Sequence, residues 1–267
     1  MYLNGKLETN GNWTLTTILL WFYVFGKHVD LGDCSSLFGI DGHSITEERA
    51  LYDVADGVLI HHRDIKRDLS NTPQAPHPSL QKWVWMNFES PSNAPRIDTI
   101  KDLFNLTTNY RRDADIAMHE SLVVTDKPKL FQVLKKSLLV CWIVRGWNPG
   151  HQRVKYYTEL KQHIDISVFV GHFRPLSNEE YITTMVSCKF YLSFESSSHV
   201  DYITEKLYKW LLLGAVPVVL GIPRERCENI VPKDTFIHIK DFSSAKELGD
   251  YLYFLDQNEE KYKQSPG

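Results

Sequence analysis

With 267 residues, the chain can bury a substantial core as one large domain or as two domains of ordinary size. Its hydrophobic share of 43% and charged share of 24% are those of a globular protein, which excludes disordered and fibrous classes. The net charge of −3 is small and the basic residues are scattered, so nucleic acid is not expected as a partner.

Runs of apolar, β-branched and aromatic residues predict eight strands along the chain. Most runs are continuous rather than alternating, which is typical of parallel strands covered on both faces. Helical patterns lie between several of them, and this alternation predicts βαβ units and a doubly wound α/β fold. The predicted strands are 17–24, 57–60, 82–86, 138–144, 164–170, 189–194, 216–220 and 236–239, and the predicted helices are 154–163, 201–213 and 245–256.

The stretch from 91 to 136 is less regular and carries mixed charge, and it separates two α/β parts. We place the boundary near 134–137, which gives domains 1–136 and 137–267. Ligands of such folds bind beyond the carboxyl ends of the strands, which for two facing domains means the cleft between them.

The longest strongly apolar run, 18–25, has eight residues, whereas a membrane-spanning helix needs about 20. This run predicts a buried strand, and no signal-peptide pattern opens the chain, so we expect any membrane anchor upstream of Met1.

Sequons at Asn12 and Asn105 have physical meaning only in the secretory pathway. Four cysteines lack the close pairing of a zinc or redox site, and four buried thiols are the alternative that the sequons oppose.

One segment predicts a strand, a polar loop and a helix that suits a phosphate group. Asp201 is the predicted N-cap, Gly214 ends the helix, and Glu205 and Lys206 lie in its first turn. A helix start has unpaired N–H groups and a partial positive charge, to which a lysine adds a full one. In the alternative interpretation, Glu205 only caps the helix and Lys206 is a solvated surface residue.

Several long motifs occur in a fixed order along the chain. They are His61-His-Arg-Asp-Ile, Trp83-Val-Trp-Met-Asn-Phe-Glu-Ser-Pro, Tyr110-Arg-Arg-Asp-Ala-Asp, Trp147-Asn-Pro through Arg153-Val-Lys-Tyr-Tyr, Phe190-Tyr-Leu-Ser-Phe-Glu, Asp201-Tyr-Ile-Thr-Glu-Lys-Leu-Tyr and Val216-Pro-Val-Val-Leu-Gly. With these motifs, the chain resembles the α-1,3/4-fucosyltransferases over residues 17–262. This resemblance implies a GT-B fold, in which two Rossmann-like domains with mostly parallel sheets face each other across a cleft. It also implies that the amino half binds the acceptor and the carboxyl half binds the nucleotide sugar.

The family's activity is the inverting transfer of L-fucose from GDP-fucose to the 3-hydroxyl of N-acetylglucosamine in N-acetyllactosamine-type glycans. The acceptors are glycoproteins or glycolipids, the product is of Lewis X type, and the expected location is the lumenal side of the Golgi membrane. The implied donor-binding residues are Arg153 and Lys206 at the diphosphate, Glu205 at the ribose, Tyr202 near the guanine, and Glu195 and Ser196 in the same pocket.

Glu89 matches the family's general base, which takes the proton from the acceptor hydroxyl. It follows a tryptophan-rich strand and precedes Pro91, so it is predicted at a strand end facing the cleft. Because the hydroxyl attacks the face opposite GDP, one carboxylate suffices for inversion. The residues alone would favour a structural carboxylate that caps a turn.

No divalent metal is expected. Asp113 and Asp115 have the form of a metal-binding pair, but two carboxylates alone provide few ligands for a metal ion. The basic side chains of the implied donor site also make a metal unnecessary. A metal-dependent transferase is the alternative, which a chelator would inhibit. His61 and His62 point to opposite faces if they lie on one strand, and the prediction is a buried histidine with satisfied polar contacts.

The resemblance also implies a disulfide bond between Cys141 and Cys188, whereas the partner of Cys34 lies in a segment beyond this sequence. The chain departs from the family pattern at His43, Arg145, Gly146, Ser196 and Cys227. It ends where family members continue for several dozen residues. The alternative function is therefore a non-catalytic relative that binds GDP-fucose or glycan without turnover.

Overall fold

The computed structural model describes residues 15–28, 35–36, 39–118, 136–144, 146–170 and 178–264. The chain forms two compact units. Unit 1 comprises the residues up to Asn109 together with Asp113–Ala117, and unit 2 comprises Tyr110–Arg112 and the residues from Met118 onward. The predicted boundary near 134–137 adjoins a segment outside the described residues, and it stays a prediction.

Unit 1 is built around a parallel sheet. Its strands are β1 (Thr16–Leu20), β2 (His43–Thr46), β3 (Gly57–His61), β4 (Lys82–Asn87), β5 (Leu106–Asn109) and β6 (Ile116–Ala117). They run in the order β2-β1-β3-β4-β5-β6, and every pairing is parallel. Short 3₁₀ turns at Val24–Gly26, Arg49–Val54, His62–Asp64 and Asp98–Ile100 join them.

The core of unit 1 packs apolar side chains against β1, β3 and β4. A buried glutamine fixes one end of this core: the Gln81 amide donates to the carbonyls of Tyr52, at 2.6 Å, and Ala55, at 3.0 Å. Its oxygen accepts from the Trp83 indole at 2.9 Å, so no buried polar atom of Gln81 lacks a partner. The core side chains include Leu19, Phe22, Tyr52, Val58, Ile60, Ile65, Trp83 and Ile97.

Unit 2 is built around a second parallel sheet. Its strands are β7 (Leu138–Val144), β8 (Ile166–Val170), β9 (Cys188–Phe194), β10 (Val216–Leu220) and β11 (Ile237–His238), in the order β11-β10-β9-β7-β8. All its pairings are parallel. Its helices are α1 (Gln152–Leu160), α2 (Asn178–Ser187), α3 (Glu205–Leu212), α4 (Arg224–Glu228), α5 (Ala245–Gln257) and α6 (Glu259–Gln264), with a 3₁₀ turn at Ile239–Asp241.

Continuous apolar sequence explains the centre of this sheet. Every residue of β10 is buried, as is nearly every residue of β9, because strands in the middle of a parallel sheet are covered on both faces. The predicted α/β class with mostly parallel sheets is confirmed. Within the described residues, no helix is both long enough and apolar enough to cross a bilayer.

A disulfide bond joins Cys141 on β7 to Cys188 at the start of β9, as the family resemblance implies. Both residues are fully buried but are bonded to each other, so the alternative of four buried thiols is wrong for this pair. Cys227 on α4 is a buried free thiol, and burial raises its pKa to about 12. Cys34 lies outside the described residues.

We expect the double variant Cys141→Ala/Cys188→Ala to lose about 4 kcal/mol of unfolding free energy, because the bond closes a loop of 47 residues in the unfolded chain. Urea unfolding followed by tryptophan fluorescence measures the loss. Wild-type protein unfolded with a reducing agent is the control and should match the variant. A loss below about 1 kcal/mol would contradict the chain-entropy argument.

Candidate functional site

The strand order of unit 2 defines a place for a ligand. From β7 the chain passes to β8 on one side of it, and then returns to β9 on the other side. The connections that leave β7 and β9 therefore diverge, and they open a crevice at the carboxyl ends of these strands. Residues 146–152 follow β7 and residues 195–204 follow β9, so both segments begin at this switch point.

Arg153 is the cation that follows β7. It is the second residue of α1 and is only 7% exposed, and its Nη2 donates to the Gly146 carbonyl at 2.6 Å. Its Nε is buried and has no hydrogen-bond partner within the described part of the chain. Burial lowers the pKa of the guanidinium, while the negative charge of Glu195 opposes that change. A buried guanidinium with an unused N–H group is suited to an anion.

Lys206 is the second cation, in the first turn of α3 beyond β9. Its ammonium donates to Thr204 Oγ1 at 2.7 Å and lies 3.2 Å from a carboxylate oxygen of Glu195. Glu205 approaches the same ammonium at 3.6 Å but is mostly exposed. Burial lowers the Lys206 pKa, but the charges of Glu195 and Glu205 outweigh burial, so the net shift is upward.

The two cations have electrostatic neighbours in common. The carboxylate of Glu195, 3.2 Å from the Lys206 ammonium, acts on both Arg153 and Lys206, as does Tyr202. Both cations therefore lie within electrostatic range of Glu195, on the helices that follow β7 and β9. Tyr202 is itself buried, with its ring centroid 5.0 Å from that of Tyr110, which also belongs to unit 2.

The start of α3 differs from the prediction that Asp201 is its N-cap. The helix begins at Glu205, and the buried Glu195 accepts from the Thr204 amide and hydroxyl, both at 2.9 Å. Asp201 adopts a left-handed backbone with φ of 61°, and its carboxylate accepts from the Arg112 amide at 3.3 Å. This conformation cannot continue into a helix, so the polar loop is four residues longer than predicted.

Gly221 packs closely against Glu195. It follows β10 with φ of +110°, and a Cβ at this position would lie 3.0 Å from the Glu195 Cβ. The Glu195 amide also donates to the Leu220 carbonyl at 3.0 Å. The end of β10 therefore fixes the position of Glu195, and only glycine fits there without strain.

Glu89 lies two residues beyond the carboxyl end of β4, in unit 1. Its amide donates to Asn87 Oδ1 and its carbonyl accepts from Asn87 Nδ2, both at 3.1 Å, so the backbone here is held on both sides. The Glu89 side chain is 25% exposed, with Arg63 Nη1 3.7 Å from one carboxylate oxygen. It is thus a partly accessible carboxylate at a strand end, as predicted.

His61 ends β3 and His62 begins the following 3₁₀ turn, and both have structural partners. His61 is fully buried, with Nδ1 2.6 Å from Asp64, and His62 lies 2.8 Å from the Pro95 carbonyl and accepts from the Trp85 indole at 3.1 Å. Both ring nitrogens of His62 have partners, which agrees with the prediction of a satisfied buried histidine.

The paired aspartates form no visible metal site. Asp115 accepts from both the amide and the hydroxyl of Thr107 at 2.8 Å, and these bonds lower its pKa. Among the described residues, no group of three or more His, Cys, Asp or Glu side chains could hold a metal ion.

Sequence reasoning missed Thr204, Gly221 and Arg63. A glycine directly after a buried strand is a signal for close backbone approach, and it could have identified Gly221. Ser196 is half-buried in the loop after Glu195. Arg145 lies outside the described residues.

A parallel sheet with cations at its switch point is typical of α/β enzymes that bind phosphorylated ligands. Residues 133–265 match the family "Glycosyltransferase family 10 (fucosyltransferase) C-term", and residues 14–120 match "Fucosyltransferase, N-terminal". The chain belongs to glycosyltransferase family 10, the fucosyltransferases. The predicted family and its enzyme class are confirmed.

Curated relatives cover most of the chain. The 4-galactosyl-N-acetylglucosaminide 3-alpha-L-fucosyltransferase 9 of Mus musculus is 51% identical over 92% of this chain and 69% of the relative. The Homo sapiens protein of that name is 50% identical with the same coverage. The 3-galactosyl-N-acetylglucosaminide 4-alpha-L-fucosyltransferase FUT3 of Bos taurus is 41% identical, again over 92% of this chain and 69% of the relative.

Solved structures share the fold. A crystal structure of an alpha1,3-fucosyltransferase matches with a TM-score of 0.63 at 14% identity, and one with GDP-fucose matches with 0.61 at 15%. Each match covers 98% of this chain and 83% of the solved chain.

We expect Gly221→Ala to lower the unfolding free energy by about 3 kcal/mol, because a left-handed backbone and a close contact with Glu195 act together. Gly39→Ala is the matched control: its φ is +64° but a Cβ would meet nothing within 4 Å, so about 1 kcal/mol is expected. Urea unfolding measures both. Equal losses would show that the contact with Glu195 contributes nothing.

Proposed function

We propose that this chain transfers L-fucose from GDP-fucose to the 3-hydroxyl of N-acetylglucosamine in N-acetyllactosamine-type glycans, with inversion of configuration. The position of Arg153 and Lys206 in the first turns of the helices that follow β7 and β9, at the switch point of unit 2, carries the proposal. The name of the curated relatives supports it, since they are 3-alpha-L-fucosyltransferases of a 4-galactosyl-N-acetylglucosaminide. The proposed acceptors are glycoproteins and glycolipids, and the product is of Lewis X type.

In this proposal, Arg153 and Lys206 bind the diphosphate of the donor. When the bond between fucose and GDP breaks, negative charge grows on the β-phosphate oxygens, and two partly buried cations stabilise it most strongly at that moment. Because these side chains supply the positive charge, we propose that no divalent metal is required. Glu205 is assigned to the ribose and Tyr202 to the guanine region, and Ser196 lines the same pocket.

Glu89 is the proposed general base. Its carboxylate takes the proton of the acceptor hydroxyl while the hydroxyl oxygen forms the new bond to C1 of fucose and the bond to GDP breaks. Attack from the face opposite GDP inverts the configuration at C1. The partial exposure of Glu89 and its backbone contacts with Asn87 support this role, since a base must be both reachable and held in place.

Two single variants separate the proposed roles. Glu89→Gln should lower the transfer rate by roughly 10² to 10⁴ and leave GDP affinity unchanged, because it removes a base and no phosphate contact. Lys206→Ala should weaken GDP binding by about 10-fold to 100-fold, the value of a charge-assisted hydrogen bond. Calorimetry measures GDP affinity, and mass spectrometry measures the trisaccharide formed from GDP-fucose and N-acetyllactosamine.

The same assay with EDTA tests the metal-free proposal, which expects unchanged product. Wild-type turnover by Glu89→Gln would show that another group is the base. Wild-type protein that binds GDP-fucose but forms no trisaccharide would instead identify a binding protein without turnover, the alternative function.

We also propose that the chain acts in the Golgi lumen. The disulfide bond between Cys141 and Cys188 supports this location, because such bonds persist in oxidising compartments. The sequon at Asn105 supports it too, since Asn105 is exposed and lies directly before β5. Its Oδ1 accepts from the Trp83 amide at 2.8 Å, which leaves Nδ2 as the atom that would carry a glycan. The other sequon, at Asn12, is outside the described residues.

We expect Asn105→Gln protein secreted from animal cells to lose the mass of one N-glycan, because the substitution removes the acceptor amide. Thr107→Ser is the matched control, since it preserves the sequon and a hydroxyl for Asp115, and it should keep the glycan. Gel mobility with and without an N-glycan-releasing enzyme measures the difference. Equal mobility of wild type and Asn105→Gln would remove Asn105 as a glycan site.

A further inference from the structure

We propose that Glu195 is a positioning residue: its buried carboxylate holds the Lys206 ammonium in place for the donor phosphates and does not itself bind the nucleotide. The inference rests on the proposed function, because it concerns how the donor site is built. It changes the implied role of Glu195 from a pocket residue that contacts GDP-fucose to one that acts through Lys206.

Both carboxylate oxygens of Glu195 are already engaged. Oε1 accepts from the Thr204 amide and hydroxyl at 2.9 Å, and Oε2 lies 3.1 Å from the same hydroxyl and 3.2 Å from Lys206 Nζ. The Glu195 side chain is only 1% exposed, against 24% for Lys206. Of this pair, the ammonium is therefore the group that a ligand can reach.

Lys206 is held more firmly than a lysine at a helix surface usually is. Its ammonium donates to Thr204 Oγ1 at 2.7 Å, and its backbone carbonyl accepts from the Ser193 hydroxyl at 2.6 Å. A free lysine side chain has high rotamer entropy, which it would lose on binding phosphate. Glu195 and Thr204 remove that freedom before the donor arrives, which favours binding.

The charges around Lys206 make Glu195 the dominant partner. Four groups act on this region: the carboxylates of Glu195 and Glu205, the phenol of Tyr202, and the cationic Arg153, which also interacts with Glu195. Glu205 is 58% exposed, so water screens it. Burial lowers the pKa of the Lys206 ammonium, and the negative charge of Glu195 raises it. Without that charge the pKa would fall, so Lys206 would lose its proton at a lower pH.

The central test follows the titration of Lys206 by NMR in protein labelled with ¹³C at lysine Cε, with the signal assigned by its loss in Lys206→Arg. We expect Glu195→Gln to lower the Lys206 titration midpoint by about one pH unit or more. We also expect the GDP affinity of Glu195→Gln, divided by the wild-type affinity at the same pH, to decrease as pH rises. Taking the ratio cancels the ionisation of GDP itself.

A double-mutant cycle separates an action through Lys206 from a direct contact with the nucleotide. We expect Glu195→Gln to weaken GDP binding about 10-fold in the wild-type background and by less than about 2-fold in the Lys206→Met background. Equal losses in the two backgrounds would mean that Glu195 acts independently of Lys206, which would overturn the proposal.

Glu247→Gln is the matched control for a carboxylate at a helix start whose neighbouring lysine, Lys246, pairs with a different residue, Asp250. Glu247 lies in the first turn of α5, where it accepts from the amide and hydroxyl of Ser243 at 2.7 and 2.6 Å. It should change neither the Lys206 midpoint nor GDP affinity. The same change in both variants would show that helix capping alone is responsible.

A measurement on the wild-type protein covers the case in which Glu195→Gln does not fold. GDP should move the Cε signal of Lys206 and leave the carboxylate carbon signal of Glu195 nearly unchanged. A large shift at Glu195 would instead identify it as a nucleotide contact. The Lys206 midpoint needs neither ligand nor turnover, so failure of fucose transfer and failure of this inference give different results.

Discussion

The candidate donor site depends on how two cations are kept partly buried near one carboxylate. Arg153 and Lys206 carry like charges, and burial disfavours the charged form of each. The carboxylate of Glu195 acts on both: with Glu205 it outweighs this cost at Lys206, whose pKa is raised, and it reduces the cost at Arg153, whose pKa stays lowered. Because Glu195 is itself buried, its charge is screened little by water, so one carboxylate can stabilise both cations. The rest of the site is arranged to keep that carboxylate in place.

Backbone geometry around Glu195 comes from three neighbouring elements. β9 brings the residue to the switch point, the end of β10 approaches it through Gly221, and the start of α3 supplies the amide and hydroxyl of Thr204. Since a parallel sheet places all its carboxyl ends at one edge, these elements meet without a long connection. In unit 1, Glu89 likewise follows the carboxyl end of a strand, β4. Two hydrogen bonds with the Asn87 side chain hold its backbone in place.

The central strands could be predicted from the sequence because their apolar runs are continuous. The prediction 138–144 agrees with β7 and 216–220 agrees with β10. The strands β2 and β5, with sequences His-Ser-Ile-Thr and Leu-Thr-Thr-Asn, were not predicted, since half-exposed polar strands have no apolar run. The predicted strand 17–24 ends at Leu20, because a 3₁₀ turn follows.

The site was predictable in its residue types but not in its internal contacts. A lysine in the first turn of a helix is a local signal for phosphate and identified Lys206, whereas Arg153 came only from the family resemblance; their roles stay predictions. The position of Glu195 depends on the close approach of Gly221, some 26 positions later in the chain; the glycine itself has a local signal, but its contact with Glu195 has none. The left-handed backbone of Asp201 also has no local signal, so the helix start was placed too early.

The covalent link between β7 and β9 joins the two strands whose ends carry the candidate donor site. It limits how far these strands can slide or separate, so any adjustment to an incoming nucleotide sugar falls to the segments 146–151 and 196–204. A sugar nucleotide too bulky to be accommodated by movement of those segments would then not bind, because the strands cannot move apart to admit it. Selectivity among donors would thus rest partly on a bond formed during folding, before the protein meets any substrate.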